Sequence, residues 1–272
     1  MSNSSVGQIS RSILRISSRG QETRADALAI EEPLEIAIRH RARRRVAAIT
    51  MRTPGRDLDL ALGFLFSEGL LPQGINPGDG AQVESNSLTL EWPNELELNL
   101  RSLDRHTYTS SSCGVCGKTS IEQVYQSLPF PDDPSAWRVE ASTIYPLPDR
   151  LREAQSLFRT TGGIHAAGIF TTTGELLHVA EDVGRHNALD KVVGHGYRQG
   201  LLPLHRTILI LSGRASFELI QKAAMAGIGL VASVGAPSSL AVELAEDNGI
   251  TLCGFVRPHS LNCYTHAERI VA

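Results

Sequence analysis

Apolar positions follow two rhythms along the chain, and the change between them divides it. Leu34 to Ile38 and Val46 to Met51 are short apolar runs flanking the basic cluster His40 to Arg45, a pattern that predicts a β-hairpin with a charged turn. Thr53-Pro54-Gly55-Arg56-Asp57 then interrupts the strand. Leu58, Leu62, Leu65 and Phe66 recur at helical spacing and stop at Gly69, predicting one amphipathic helix. Leu88 to Trp92 and Leu96 to Leu100 read as further strands, so the first part of the chain is β-rich.

Beyond about residue 149 strands and helices alternate. Strand-like runs at Ala166 to Phe170, Leu176 to Val179, Thr207 to Leu211, Ile228 to Val234 and Ile250 to Val256 are interleaved with helical stretches at Asn187 to Tyr197, Phe217 to Ala226 and Leu240 to Asp247. Such alternation predicts an α/β layer with a largely parallel sheet, in which ligands bind beyond the carboxyl ends of the strands. The expected organisation is a polar tail over residues 1–24, a β-rich lobe at about 25–128 and an α/β lobe at about 149–272. The proline-rich stretch Pro129 to Pro148 is read as the connection. The Ser-, Gly- and Arg-rich tail lacks the apolar surface needed to offset ordering entropy and is expected to be unstructured.

Composition changes this picture little. Hydrophobic residues make up 42% and charged residues 20%, an ordinary globular balance. The formal net charge of −3 supplies no general attraction to nucleic acid. No stretch approaches the roughly 20 apolar residues of a membrane helix, and no secretory signal core is visible. Four cysteines are too few for a disulfide-stapled secreted scaffold, so a reducing cytoplasm is expected.

Two of those cysteines carry the most informative chemistry. In Ser111-Ser112-Cys113-Gly114-Val115-Cys116-Gly117-Lys118-Thr119-Ser120-Ile121-Glu122, Thr119 and Glu122 form a capping box that predicts a helix start just after the cysteines. The helix dipole and Lys118 favour thiolate at Cys113, and a pKa lowered from about 8.5 to about 6.5 would raise the ionised share at neutral pH from roughly 3% to about three-quarters. Such a thiolate attacks the outer sulfur of a persulfide donor, and Cys116 stands ready to assist release. Half of a zinc site and a thioredoxin-like redox pair are the competing readings. Zinc wants four ligands, and Cys253 and Cys263 form no second close pair in sequence, although nine histidines leave ligands available. The redox motif belongs near the start of a βαβ unit, which is not where this pair lies.

Three loops suit an anion. Thr161-Gly162-Gly163-Ile164-His165 precedes a strand, Asp182-Val183-Gly184-Arg185-His186-Asn187 precedes a helix, and Ser212-Gly213-Arg214 joins a strand to a helix. Free backbone NH groups and a guanidinium at such turns suit phosphate or pyrophosphate. His165 and His186 are either proton carriers or hydrogen-bonded structural groups.

Taken together, the strings Ser112 to Gly117, Thr161 to Ala167, Glu181 to Lys191 and Leu211 to Glu218 resemble those of the formate dehydrogenase accessory sulfurtransferases, the FdhD family, from about residue 25 to the end. The resemblance implies a cytidine-deaminase-like α/β layer with a β-rich N-terminal lobe. It implies a cytoplasmic, usually homodimeric sulfurtransferase that takes sulfur from a cysteine desulfurase. Delivery is to the molybdenum bis(molybdopterin guanine dinucleotide) cofactor destined for the formate dehydrogenase apoenzyme. By position Cys113 matches the persulfide-carrying cysteine and Cys116 its companion. The cofactor segment matches Phe255, Val256, Arg257, Pro258, His259 and Ser260, with Arg257 the clearest phosphate ligand; Ser212, Gly213 and Arg214 join it from the loop reading. Pro258 and His259 depart from the glycine-rich residues of many relatives. No resident metal, nucleic acid or membrane partner is expected. The deaminase-like fold raises zinc-dependent deamination, but His165 is followed by Ala166 and Ala167 rather than x-Glu, and no Pro-Cys-x-x-Cys occurs. A cofactor chaperone that moves no sulfur is the remaining alternative.

Overall fold

The computed structural model describes residues 7–72, 74–75, 77–94, 130 and 135–272. Cys113, Cys116, the expected capping box and the expected strand Leu96 to Leu100 lie outside the described residues.

Two sheets carry most of the structure. The smaller has four strands in the order β4-β3-β6-β5, built from β3 (Glu32–His40), β4 (Arg43–Arg52), β5 (Gln82–Glu84) and β6 (Ser87–Glu91). The expected hairpin is β3 and β4, which pair antiparallel around the charged turn with Arg41 and Ala42 at positive φ. Helix α1 (Asp57–Ser67) follows and ends as its sequence predicts, with Gly69 at φ 68 and the Gly69 NH donating to the Phe66 carbonyl at 2.9 Å.

The larger sheet has six strands in the order β13-β12-β11-β10-β8-β9, formed by β8 (His165–Thr171), β9 (Leu176–Asp182), β10 (Thr207–Leu211), β11 (Leu230–Ser233), β12 (Thr251–Arg257) and β13 (Ser260–Cys263). It is an α/β layer, but the expectation of a largely parallel sheet is corrected. Only β10 with β11 and β11 with β12 run parallel, while β8–β9, β8–β10 and β12–β13 are antiparallel. The reason is connection length. Helices α6 (Phe217–Met225) and α7 (Ser239–Asp247) bridge the parallel pairs, whereas the tight turns after β8 and β12 permit only hairpins.

The inner strands of the large sheet, β8, β10, β11 and most of β12, are buried on both faces by residues alternating with period two. In β10, Leu209 and Leu211 face a core shared with α1, α6, α7, the small sheet and α5 (Arg185–Arg198), while Ile208 and Ile210 face a second core. The second core is closed by Trp137, by β7 (Val139–Glu140) and by helices α2 (Ala141–Ile144) and α3 (Leu147–Ala154). The stretch expected to be a mere connection therefore carries structure from Val139 onward; Ile144 and Leu147 are fully buried. The C-terminal β14 (Ile270–Val271) pairs with β7, and the buried Arg269 guanidinium lies 4.6 Å from the Trp137 ring.

The shared core makes the two sheets one unit, and its tightest contact is the crossing of α1 and α5. A Cβ on Gly63 would fall 1.8 Å from the Asp190 carbonyl oxygen, and one on Gly194 would fall 1.8 Å from that of Asp59. Backbone approaches backbone there, which only glycine permits.

The expected unstructured tail is also corrected. From Gln8 the chain forms an antiparallel hairpin of β1 (Gln8–Ser17) and β2 (Gly20–Ala29). Its own ladder of backbone bonds orders it. Most of its side chains are exposed, Leu14 and Ile16 among them, so no buried apolar face announced it.

Candidate functional site

A cleft of about 580 Å³ opens at the carboxyl ends of β10, β11 and β12. Strand ends supply Ser212, Val234, Val256, Arg257 and Pro258 on one side. The turn entering β8 supplies Gly162, Gly163, Ile164 and His165, and a third wall comes from α3 and from α4 (Ser156–Thr161) through Arg152 and Phe158. This is where an open α/β sheet places ligands.

Several predicted residues meet here. The Ser212 hydroxyl accepts the Ala166 NH at 2.9 Å, fixing the loop after β10 to the start of β8. Gly213 lies against the His165 ring, since a Cβ there would stand 3.5 Å from two ring atoms. Arg257 Nη1 donates to the carbonyls of Val234 and Val256, both at 2.9 Å, which holds the guanidinium across the ends of β11 and β12. The strand is bent to allow this: the β12–β13 register shifts between Gly254 and Arg257, and Phe255 takes φ 51. A bulky non-glycine residue in that region is uncommon.

Other predicted residues are not brought into the cleft wall. Arg214 packs its side chain toward Gly235, whose added Cβ would stand 3.0 Å from Arg214 Cγ. Phe255 is 41% exposed. His259 sits on the exposed turn between β12 and β13 and the exposed Ser260 opens β13, paired with Arg257 across that turn. Pro258, by contrast, does line the cleft, as does Val256.

The string Glu181 to Lys191 divides by role. Glu181 of β9 accepts the NH groups of Leu157 at 3.0 Å and Phe158 at 2.9 Å, capping the start of α4. Asp182 is fully buried, pairs with Lys191 Nζ at 2.7 Å and accepts NH groups from Thr53, Gly184 and Asn187. Lys191 also donates to the Thr53 carbonyl at 2.9 Å, and Asn187 to that of Met51 at 2.7 Å. Asp190 pairs with Lys222 at 2.7 Å; burial pushes its carboxyl up although Lys222 opposes this. These groups join β4 to α5 and α5 to α6, and none is left for a ligand.

What remains is Arg185, His186 and His165. Arg185 Nε and His186 Nδ1 are buried without a hydrogen-bond partner among the described residues, which is costly unless something else satisfies them. His186 Nε2 stands 3.4 Å from the Ser216 hydroxyl and 3.7 Å from the Glu218 carboxylate. Burial alone would raise Glu218, but hydrogen bonds from His186, its own backbone NH and Ser216 outweigh it and hold the group at about 2. His165 is lowered from its usual 6.5, first by burial and then by Arg185 and His186, so at neutral pH it faces the cleft uncharged. An uncharged imidazole can donate to or accept from a bound oxygen.

Sequence reasoning missed the α3 and α4 wall. Arg152 lies over the Phe158 ring at 5.3 Å, presenting a cation and an aromatic face to the cleft. A signal existed, because Pro148 near the start of a helical pattern with Leu147 and Leu151 inward is a helix opening.

Comparison with known proteins decides the relationship. The sequence profile of the FdhD/NarQ family matches residues 29–271. The chain belongs to the FdhD/NarQ family. A Streptomyces avermitilis protein named "Sulfur carrier protein FdhD" is 49% identical over 270 residues, covering 96% of this chain and 94% of the relative. Proteins of the same name from Mycobacterium tuberculosis and Saccharolobus solfataricus are 46% and 42% identical, covering 91% and 90% of this chain and 93% and 91% of those relatives. A crystal structure from Desulfotalea psychrophila, described as a candidate formate dehydrogenase accessory protein, superposes with a TM-score of 0.75 at 24% identity over 97% of this chain and 99% of that one. The FdhD/NarQ membership and this shared fold agree with the α/β reading. Among the described residues no group of three or more His, Cys, Asp or Glu is placed to hold a metal ion, and no helix is long and apolar enough to cross a membrane.

Proposed function

We propose that this protein is a sulfur carrier for the maturation of formate dehydrogenase, a sulfurtransferase that takes sulfur from a cysteine desulfurase onto Cys113. Its acceptor is the molybdenum bis(molybdopterin guanine dinucleotide) cofactor, held as substrate in the cleft. The curated relatives carry the sulfur-carrier name over nearly the whole chain, which supports the first half of this reading. The cleft carries the second. It is large enough for a nucleotide portion, is floored by strand ends, and combines Arg257, Arg152 and uncharged His165 with the Phe158 face. A guanidinium fits a phosphate bidentately and an aromatic face suits a purine base.

The sulfur steps balance through the cysteine pair. Cys113 thiolate attacks the outer sulfur of the donor persulfide, forming Cys113–S–SH and releasing the donor thiolate. Attack by Cys116 thiolate on the Cys113 sulfur then forms the Cys113–Cys116 disulfide and expels hydrosulfide to the acceptor, the dithiol supplying the two electrons that reduce the sulfane sulfur. Reduction of that disulfide by a cellular dithiol resets the carrier. Cys113→Ala tests the division of labour. Formate dehydrogenase activity in the host should be lost while guanine nucleotide binding, measured by calorimetry, is retained. Full enzyme activity with this variant would favour a chaperone that binds the cofactor without moving sulfur.

A further inference from the structure

The cysteines outside the motif, Cys253 and Cys263, are far apart in sequence but face each other across β12 and β13 as Cα partners. The Tyr264 NH donates to the Leu252 carbonyl at 2.8 Å, which makes Cys253 and Cys263 a non-hydrogen-bonded pair of the antiparallel ladder. In that type of pair the Cα atoms stand about 4.5 Å apart with side chains close, inside the Cα separation a disulfide spans, about 4.4–6.8 Å. Both belong to the second core, with Cys253 fully buried and Cys263 half-buried at the sheet's edge, where the Cys263 thiol donates to the Thr265 carbonyl at 3.3 Å.

The two sulfurs are not equivalent. The neighbouring Cys253 thiol, together with the Thr265 backbone, lowers the Cys263 thiol against the opposing effect of burial, while Cys253, set against Cys263 and buried, is raised. Nearby His266 favours Cys263 thiolate and Glu268 opposes it. Cys263 is therefore the nucleophile and Cys253 the shielded partner, the asymmetry expected of an attacking and a resolving thiol.

We propose that Cys253 and Cys263 form a reversible cross-strand disulfide, a modification site separate from the Cys113 pair. The oxidant is a low-molecular-weight disulfide. Cys263 thiolate attacks it, forming a mixed disulfide and releasing one small thiolate, which takes up a proton. Cys253 then loses its proton to solvent or base and attacks the Cys263 sulfur, releasing the second small thiol. Protein dithiol is oxidised and the small disulfide reduced to two thiols. The bond ties β13 to β12 just ahead of Phe255, where the register shifts and the cleft turn begins, and so fixes the span of the turn that carries Arg257.

The test uses the full chain with Cys113→Ser and Cys116→Ser, leaving only these two thiols. After equilibration in glutathione buffers of increasing oxidation, acid quench and denaturing alkylation, intact mass should show the alkylatable thiols falling from two to none together, with no glutathione adduct and full reversal by dithiothreitol. Adding Cys253→Ala should trap Cys263 as the glutathione mixed disulfide. Adding Cys263→Ser should leave Cys253 a free thiol throughout, which controls for misfolding of the first variant. Two alkylatable thiols in the most oxidising buffer, or stable glutathionylation of the two-thiol chain, would overturn the proposal. Amide exchange over 255–262 should slow on oxidation; unchanged exchange would overturn the coupling to the turn. None of these readouts depends on sulfur transfer or nucleotide binding, so their failure is distinct from failure of the carrier reading.

Discussion

The joint between the two sheets and the cleft at the strand ends use the same residue types in opposite ways. At the joint Asp182, Lys191, Asp190 and Lys222 are buried and paired, and Gly63 and Gly194 let two helices touch backbone to backbone. At the cleft Arg257 engages two carbonyls among the described residues and Phe255 takes a positive φ, and behind the cleft-lining His165 the buried Arg185 Nε and His186 Nδ1 lack partners among the described residues. Polar groups satisfied by the fold specify the fold. Those that the fold positions but leaves unsatisfied are the ones available to a ligand. The contrast separates roles within one continuous string, since Glu181, Asp182, Asn187 and Lys191 build while Arg185 and His186 remain open.

The largest expected effect breaks the joint. Lys191→Met strands a fully buried carboxylate and should lower unfolding free energy by about 3–5 kcal/mol in denaturant melts, with part of the loss recovered by adding Asp182→Asn. Gly63→Ala forces α1 from α5 and should cost about 1–3 kcal/mol in the same measurement, with the cleft's ligand affinity following only as the folded fraction falls. Arg257→Gln reverses the pattern. Guanine nucleotide affinity should weaken by about 1.5–3 kcal/mol by calorimetry while the melt moves by less than about 0.5 kcal/mol. An equal loss of stability would make Arg257 part of the scaffold rather than the cleft.

A smaller effect is a pH dependence located at the joint. His178 of β9 and His195 of α5 stack with ring centroids 3.7 Å apart and planes within 2°, beside Arg56, Arg198 and Asp59. Burial, His195 and then Arg56 lower His178 from 6.5 to about 4, with Asp59 opposing. The folded state thus binds fewer protons than the unfolded state between those values. Stability should be full above about pH 6.5, fall as pH drops, and level below about pH 4. Discounted for partial exposure, the drop is roughly 1–2 kcal/mol, and His178→Asn should flatten it in urea melts taken across that range.

Much of this was legible in the sequence wherever burial imposes a period. The strand Thr207 to Leu211 and the helices around Asn187, Phe217 and Leu240 stand where apolar spacing places them, because each is packed on a core. Sheet direction was misread although the gap from Phe170 to Leu176 is too short for a crossover of a dozen or more residues. The β1–β2 hairpin escaped notice because backbone pairing, not a buried face, orders it. At the site, Ser212, Val256, Arg257 and Pro258 were legible from strand-end position. Arg152 and Phe158 reach the cleft only through tertiary packing of short helices. His259 and Ser260 belong to the segment matched by position, yet the chain beyond Arg257 carries them onto the exposed turn and the start of β13, away from the cleft.

The proposed function turns on sulfur being held by Cys113. The most direct measurement is intact mass, under non-reducing conditions, of the full chain incubated with a cysteine desulfurase and cysteine. The account predicts one added sulfur that maps to Cys113, is removed by cyanide or dithiothreitol, and is absent from Cys113→Ala. An unmodified mass in protein that still supports formate dehydrogenase activity would contradict it.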